Sequence, residues 1–537
     1  KYLQENSDAR LKSIIATIQR EQNKIIRSPL RGDYIIQGTA GSGKTTVALH
    51  RIAYLLYNEA KNISEADFMI LGPNKYFLNY ISDLLPDLDI KNVSQLTFEE
   101  IAMKYMGISK VKLESKNKTL QEVLAGNVSA KVIEDKSSIA YLKLLENFVD
   151  LYVNSHLKDD VEYEGMKICS ADEIKRYLNK SVFSTDKGYA EKANQYMKIL
   201  IKKVKDNSDD LTHDVWLKYR EEYLGLPKNS PRRKEILEEV DKIQKEIKKG
   251  CPTSIKNYFK FMKVNPIIIY QAFLENLNVL VQDNHNILKE IQDYTLSRIS
   301  KKQIGFEDLS PLLLINYCLN GIKDFKDFSY LVIDEAQDYN KLQYLIIKKT
   351  FKTSNYTILG DTNQTINPYY KYDSLEELTS IFESSKYITL TKTYRSTGKI
   401  IDYTNKILGL NHVTAIRNDK ASDIIFRNNI TKNDFLTDIN NLKTISKSIA
   451  IITKNDKEAE KVYNMLKDDL DIMLIDGFGH IKRDLVVVPS YVAKGLEFDS
   501  VIIYTDEDNK YQEKDKYLFY VACTRAQHNL IIYNNSK

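Results

Sequence analysis

The chain lacks any uninterrupted apolar run of about 18 residues or more, which excludes a helix long and greasy enough to span a bilayer. Its most apolar stretch, near Pro266–Leu274, is short and interrupted. Cysteine is scarce: of 537 residues only Cys169, Cys251, Cys318 and Cys523 are thiols. None sits in a C-x-x-C pair, and their separations fit neither zinc ligation nor a disulfide framework. Free thiols in a reducing cytoplasm are the simpler expectation, supported by the absence of a basic-then-apolar leader. Tryptophan occurs once, as Trp216, against 36 tyrosines and 18 phenylalanines, a bias that fits an AT-rich genome better than a function. An excess of one charge is also missing. The 78 basic and 73 acidic residues leave a net charge of +5, which permits a nucleic-acid partner without arguing for one. Internal repeats and low-complexity tracts are absent.

What is present is an ordinary globular composition, 43% apolar and 28% charged. That excludes a mainly disordered chain, a collagen-like fibre and a disulfide-stapled mini-protein. The length suggests about three or four domain-sized units. Residues 1–105 read as a helix Leu11–Arg27, a strand Tyr34–Gln37, a Gly-rich loop, a helix Thr45–Asn58 and a strand Phe68–Leu71. Strand–helix alternation of this kind predicts a parallel sheet flanked by helices. From about 110 to 305 the texture becomes long, charged and helical, as in Arg232–Lys249. Alternation then resumes with apolar strands Tyr330–Ile333, Tyr356–Leu359 and Tyr387–Leu390, followed by Ile449–Thr453, Leu485–Val488, Ser500–Tyr504 and Asn529–Tyr533. The expectation is an α/β chain with two parallel sheets and one mainly helical insertion.

Two motifs carry the chemistry. Gly38-Thr39-Ala40-Gly41-Ser42-Gly43-Lys44-Thr45, with Thr46 after it, fits G-x-x-x-x-G-K-[ST] between a strand and a helix. Its glycines let backbone N–H groups and a helix N-terminus cradle phosphates. Lys44 is expected to reach the β/γ-phosphates and Thr45 to ligate Mg²⁺. The second motif, Leu331-Val332-Ile333-Asp334-Glu335-Ala336-Gln337-Asp338, ends a buried strand on adjacent carboxylates. Asp334 is expected to hold Mg²⁺ through water and Glu335 to activate the attacking water. Gln364, in Gly360-Asp361-Thr362-Asn363-Gln364, is placed to sense the γ-phosphate. Three further strings are weak alone: Thr393-Tyr394-Arg395-Ser396, Lys494-Gly495-Leu496-Glu497-Phe498 and Val521-Ala522-Cys523-Thr524-Arg525-Ala526.

In this order the motifs resemble the UvrD/Rep/PcrA-like superfamily 1 helicases. The resemblance touches residues 14–105 and 306–535 and implies two RecA-like P-loop domains with ATP between them. It divides the chain into a first RecA-like domain at 1–105 and 306–388, a helical insertion at 106–305, and a second RecA-like domain at 389–537. Matched residue by residue, it implies that Gln22 reads adenine and Tyr394 stacks on it. Arg395 and Arg525 would meet the γ-phosphate from the second domain, with Glu497 on the ribose.

More specific strings are similar to HelD, a family of helicase-like ATPases associated with bacterial RNA polymerase. They are Ile14–Asn23, Ala48–Tyr57, Gly72-Pro73-Asn74, Phe77–Pro86 and Thr97–Glu100. That resemblance implies an ATP- and Mg²⁺-dependent cytoplasmic motor, monomeric, that binds core RNA polymerase, displaces nucleic acid and recycles the polymerase. Members of the family carry a coiled-coil arm before this region, and the start at Lys1 fits a chain whose arm lies outside the sequence. Against the helicases there are departures. Gly72 stands where they place a base-pocket aromatic, and Tyr369 falls where a DNA-stacking Trp is found. Arg395 and Lys494 are too close for the large helical subdomain that helicases insert there. A UvrD-type 3′→5′ single-stranded DNA translocase and a polymerase-binding nucleotide switch with little turnover remain as alternatives. In the insertion, Lys242–Lys263 with Tyr258, Phe259 and Phe261 reads either as a DNA- or RNA-contacting face or, more plainly, as a solvated helix.

Overall fold

The structure is a computed structural model. It describes residues 20–534 apart from 109, 125, 165, 180–186, 207–212, 282–284, 322–327, 353, 368–370, 394, 412, 416–422, 429, 476–482 and 507–509. The chain divides into two compact units, one of residues 1–101, 120–130 and 326–537 and one of residues 102–119 and 131–325.

The first unit holds two six-stranded parallel sheets. Its N-terminal part runs through α1 (Arg20–Ile26), β1 (Tyr34–Gly38), α2 (Lys44–Asn58), β2 (Phe68–Gly72), α3 (Lys75–Leu84) and β3 (Ser94–Thr97). The first sheet is completed by β4 (Tyr330–Ile333), β5 (Asn355–Gly360) and β6 (Lys386–Leu390), in the order β6-β1-β5-β4-β2-β3. The inner strands β1, β2, β4 and β5 are short, largely apolar and buried almost throughout, as a parallel sheet covered by helices requires, whereas the edge strands β3 and β6 are partly exposed. Register Gly38↔Leu390 and Leu71↔Ile333 brings the C-terminal ends of β1, β2, β4 and β6 to one edge. Because β6 pairs with β1 through Leu390, the sheet runs past the expected boundary at 388.

The second sheet is built from β7 (Ile425–Asn428), β8 (Ile449–Thr453), β9 (Met473–Leu474), β10 (Leu485–Pro489), β11 (Phe498–Thr505) and β12 (Ala526–Asn534), ordered β7-β12-β11-β8-β10-β9. Each sheet has its own core. Ile36, Val47, Ile52, Ile70, Phe77 and Val332 belong to the first, and Phe435, Ile451, Val462, Val487 and Ile502 to the second.

Arg51, fully buried on α2, locks α1 against the first sheet. Its guanidinium donates to Ile25 O (2.8 Å), Ser28 O (2.7 Å) and Pro29 O (2.8 Å), and to the Tyr330 hydroxyl (2.5 Å). A buried guanidinium is tolerable only when such acceptors replace its water.

The second unit is mainly helical: α4 (Ile139–Ser155), α5 (Tyr189–Asp206), α6 (His213–Gly225), α7 (Pro231–Tyr258), α8 (Pro266–Glu275), α9 (His285–Ser300) and α10 (Leu309–Asn320). Short two-stranded pairs join Lys112–Leu113 to Gln303–Ile304 and Val161–Tyr163 to Met166–Cys169. The compact division leaves α10 in this unit, so the break falls at 325/326 rather than at 305/306. Inside, fully buried Lys136 pairs with Asp308 (2.5 Å), while Arg298 pairs with Glu114 (2.9 Å) and Glu307 (2.7 Å). All four cysteines are buried and none forms a disulfide. Among the described residues no helix is long and apolar enough to cross a membrane.

Candidate active site

The phosphate loop leaves β1 at the sheet's C-terminal edge. Thr39 N–H donates to Leu390 O at 3.1 Å, which ties the loop to β6. Gly41 (φ 71°) and Gly43 (φ 78°) take left-handed conformations open to glycine at little cost. A Cβ on Gly41 would lie 2.5 Å from both Arg395 Cβ and Thr393 Oγ1, so the loop needs a bare backbone there. Gly43 is the N-cap of α2, whose first residues are Lys44 and Thr45. Lys44 Nζ donates to Gly38 O (3.0 Å) and Thr39 O (2.9 Å), holding the loop curled. Burial lowers the Lys44 pKa, and the carboxylates of Asp361, Glu335 and Asp334 oppose that. The hydroxyls of Thr39, Ser42 and Thr393 are buried with no hydrogen-bond partner among the described residues. A ring of unmet donors around a left-handed loop suits an anion.

Asp334 and Glu335 follow β4. Thr45 Oγ1 donates to Asp334 Oδ2 at 2.5 Å, so the hydroxyl and carboxylate expected to share a cation already meet. Burial, then the charge of Glu335, raises the Asp334 pKa. Glu335 adopts φ 52°, a left-handed conformation that costs a non-glycine residue about 1–3 kcal/mol and clusters at functional sites. Gln337 Nε2 donates to Glu335 Oε2 at 2.6 Å and fixes the carboxylate. Burial alone would raise the Glu335 pKa. The charges of Lys494, Lys44 and Arg525 outweigh it and hold the carboxyl below its ordinary value, hence ionised.

The second sheet supplies the opposite wall. Arg525, buried at the end of the helix Lys516–Cys523, donates Nη2 to Gln364 Oε1 at 2.5 Å, and Gln364 Nε2 donates to Asp361 Oδ2 at 2.7 Å. Thus Gln364 relays between the two sheets. Arg525 is further held by Leu496 O and Val521 O, both at 3.1 Å. Burial, then the charge of Arg395, pushes its pKa down to about 10. Arg395 Nε pairs with Glu497 Oε2 at 2.7 Å, and the Tyr80 hydroxyl donates to Glu497 Oε1 at 3.3 Å. Lys494 forms a buried ion pair with Asp338 across the sheets.

These groups surround a cleft that is partly open to solvent. Gly41, Gly43, Lys44, Thr45, Thr46, Glu335, Gln364, Arg395, Glu497 and Arg525, from motifs far apart in the chain, line it. Gly38, Ser42 and Asp334 stand behind this lining. So does Gln22, whose amide donates to Ser42 O at 2.8 Å and braces the loop. Tyr394 and Tyr369 lie outside the described residues. Motif reading missed Phe77, Tyr80, Leu84 and Gly495, which complete the lining, and Lys494, Asp338 and Gln337, which support it. The last three were visible as the remaining polar members of the same motifs. At Gly72 a Cβ would meet Leu78 Cδ2 at 2.7 Å and Phe77 Cδ1 at 2.8 Å, so an aromatic side chain there would displace α3's packing.

A phosphate loop on one parallel sheet, acids at the same edge and arginines arriving from a second sheet define a P-loop ATP hydrolase of the helicase-like class. The chain belongs to the UvrD/REP helicase family: residues 18–373 match the model of that family's N-terminal domain. Residues 314–534 also match a viral superfamily 1 RNA helicase core domain. An ATP-dependent DNA helicase Rep of Buchnera aphidicola is 30% identical over 273 residues, 47% of this chain and 39% of that protein. The ATP-dependent DNA helicase srs2 of Schizosaccharomyces pombe is 23% identical over 254 residues, 41% of this chain and 28% of that protein. The chain therefore spans less than half the length of these relatives. A solved C-terminal domain of a possible DNA helicase from Lactobacillus plantarum is 28% identical, over 27% of this chain and 88% of that one, with a TM-score of 0.23.

Proposed function

We propose that this chain is the motor of a HelD-like ATPase that binds bacterial core RNA polymerase, helps strip nucleic acid from it and returns it for reuse. The motor part rests on one observation, the phosphate loop of the first sheet facing Arg395 and Arg525 of the second. The polymerase part rests on the HelD-like strings between Ile14 and Glu100.

In this reading Lys44 turns its ammonium from the Gly38 and Thr39 carbonyls to the β- and γ-phosphate oxygens. Thr45 and Asp334 would hold Mg²⁺, which neutralises phosphate charge when bound; their 2.5 Å contact and all-oxygen donor set suit such a hard cation. Glu335, kept ionised, takes the proton of the attacking water. Arg395 and Arg525 meet the charge that develops on the transferring phosphoryl group, a contribution of about 10³–10⁵ in turnover for an arginine finger. Hydrolysis then requires the two sheets to be closed on one another, which couples ATP to movement.

The named relatives favour a second reading, a 3′→5′ translocase on single-stranded DNA, since both are described as DNA helicases. Steady-state ATP hydrolysis separates the two. The protein is assayed alone, with single-stranded DNA and with nucleic-acid-free core RNA polymerase. Stimulation by polymerase with little response to DNA supports the HelD-like reading; stimulation by DNA alone overturns it in favour of the translocase.

A further inference from the structure

We propose that Glu497 restrains Arg395 until the sugar of a bound nucleotide takes over the carboxylate, with Tyr80 steering that exchange. The ribose hydroxyls thereby govern the rate of hydrolysis and not affinity alone. This inference rests on the ATP-hydrolysing reading of the site and adds to it a way of reading the sugar. Arg395 has its stem and its head in different places. A Cβ on Gly41 would lie 2.5 Å from Arg395 Cβ, so the stem rests against the phosphate loop. The guanidinium is drawn aside, with Nε paired to Glu497 Oε2 at 2.7 Å. Arg525, by contrast, is buried and held by Gln364 Oε1, Leu496 O and Val521 O.

The pair that holds Arg395 is one a ligand can exchange. Arg395 and Glu497 keep 25% and 29% of their side-chain surface exposed, and an ion pair reached by water to that extent is weak. Glu497 also accepts from a second donor, since the Tyr80 hydroxyl reaches its Oε1 at 3.3 Å. A carboxylate has about four acceptor sites, so ribose hydroxyls can displace Arg395 while the bond from Tyr80 persists. Rotation about its side-chain bonds then carries the freed guanidinium back over the loop its stem already touches. A nucleotide that lacks a hydroxyl leaves Glu497 on Arg395, and hydrolysis loses part of the arginine's contribution.

The surface beside Glu497 suits a sugar. Phe77, Tyr80 and Leu84 follow one another at helical spacing along one face of α3, and all three line the cleft. They form an apolar shelf next to a carboxylate, which matches a ring with a carbon face and a hydroxyl edge. The loop that carries Glu497 folds onto this shelf. Gly495 takes φ 83°, and a Cβ there would lie 3.2 Å from Phe77 Cδ2. A bare backbone at that turn lets the loop approach α3 closely enough for Glu497 to meet Tyr80. The strings around Phe77 and Tyr80 carry no nucleotide motif, so nothing along the chain announces this part of the site.

The test compares ATP, 2′-deoxy-ATP and 3′-deoxy-ATP in the parent, Glu497→Gln and Tyr80→Phe. Single-turnover hydrolysis at saturating nucleotide, equilibrium binding and a thermal melt are measured for each protein. The parent is expected to hydrolyse at least one deoxynucleotide about tenfold or more slowly than ATP. Glu497→Gln keeps an acceptor for the sugar but loses the charge that restrains Arg395, so its deoxynucleotide rate should rise to within about threefold of its ATP rate. Tyr80→Phe loses the steering hydroxyl, so its ATP rate should fall toward a deoxynucleotide rate that stays at the parent's value. A merely structural Tyr80 would lower all three rates together, and that result would overturn the part given to it. Equal saturating rates for all three nucleotides in the parent, discrimination confined to binding, or discrimination that persists in Glu497→Gln would overturn the restraint and leave ATP hydrolysis standing. Failure of the parent to hydrolyse any nucleotide would refute instead the reading on which the inference rests.

Discussion

Arg525→Ala isolates the dependence of hydrolysis on the second sheet. Arg525 lines the cleft, where its guanidinium is held by Gln364 Oε1 (2.5 Å), Leu496 O and Val521 O (both 3.1 Å). Removing a guanidinium that stabilises transition-state charge costs about 10³–10⁵ in turnover. At about 1.4 kcal/mol per tenfold, that is roughly 4–7 kcal/mol of lost barrier stabilisation. The substitution also leaves buried acceptors without donors, at about 1–3 kcal/mol each, so destabilisation must be told apart from lost chemistry. Arg525→Lys provides the control: it keeps a charge but cannot reproduce the fork that spans Gln364 and Leu496. The assay pairs single-turnover ATP hydrolysis at saturating nucleotide with equilibrium binding of a fluorescent ATP analogue and a thermal melt. The expected result for the alanine variant is at least about 10³-fold slower hydrolysis with nucleotide affinity within about tenfold of the parent. A folded Arg525→Ala protein that hydrolyses ATP within about tenfold of the parent would refute the role given to the second sheet.

Two further substitutions probe the supports of the site. Lys494→Met breaks the buried ion pair with Asp338, a loss of about 3–5 kcal/mol. It also removes the largest charge that holds the Glu335 pKa down. Because Glu335 must be ionised to accept a proton, its acid limb sits low in the parent, and the limb of the kcat–pH profile should move to higher pH in the variant. An unmoved limb in a folded variant would show that Lys494 does not tune Glu335. Gly41→Ala combines a left-handed backbone with a Cβ 2.5 Å from Arg395 Cβ and Thr393 Oγ1. A melting temperature below the parent's and loss of ATP turnover are expected, measured by thermal melt and steady-state hydrolysis; a parent-like variant would mean the loop readily moves away from Arg395.

The parts of this molecule that could be read before folding are those whose information is local. β1, β2, β4, β8 and β11 are apolar on both faces, so a short run of Ile, Val and Leu names each, and their observed ends differ by only a residue or a few. The loop Gly38–Thr45 and the acids after β4 are also local patterns. β3 reads Ser-Gln-Leu-Thr, largely half-buried, and β7 at the sheet edge is exposed along its whole length, so neither shows the apolar signature of a buried strand. Gly250 and Pro252 lie inside the helix Pro231–Tyr258, beyond the charged pattern Arg232–Lys249. It continues to Tyr258 because Cys251, Ile255 and Phe259 are buried and Ser254 and Tyr258 are tied to the Val161–Tyr163 region. Packing there outweighs the missing proline N–H. The ion pair of Lys494 with Asp338, 156 positions apart, and the relay from Asp361 through Gln364 to Arg525 exist only once two sheets face each other. Residue types suggested those partners, but no spacing along the chain encodes the pairing.

Hydrolysis of ATP with Glu335 as the base stands against a site that merely holds nucleotide as a switch. Comparing nucleotide binding and single-turnover hydrolysis in the parent and in Glu335→Gln tests it most directly. The parent should turn ATP over, and the variant should bind ATP as tightly while hydrolysis all but stops. A parent that binds ATP without turnover, or a variant that hydrolyses it at the parent's rate, would contradict the account.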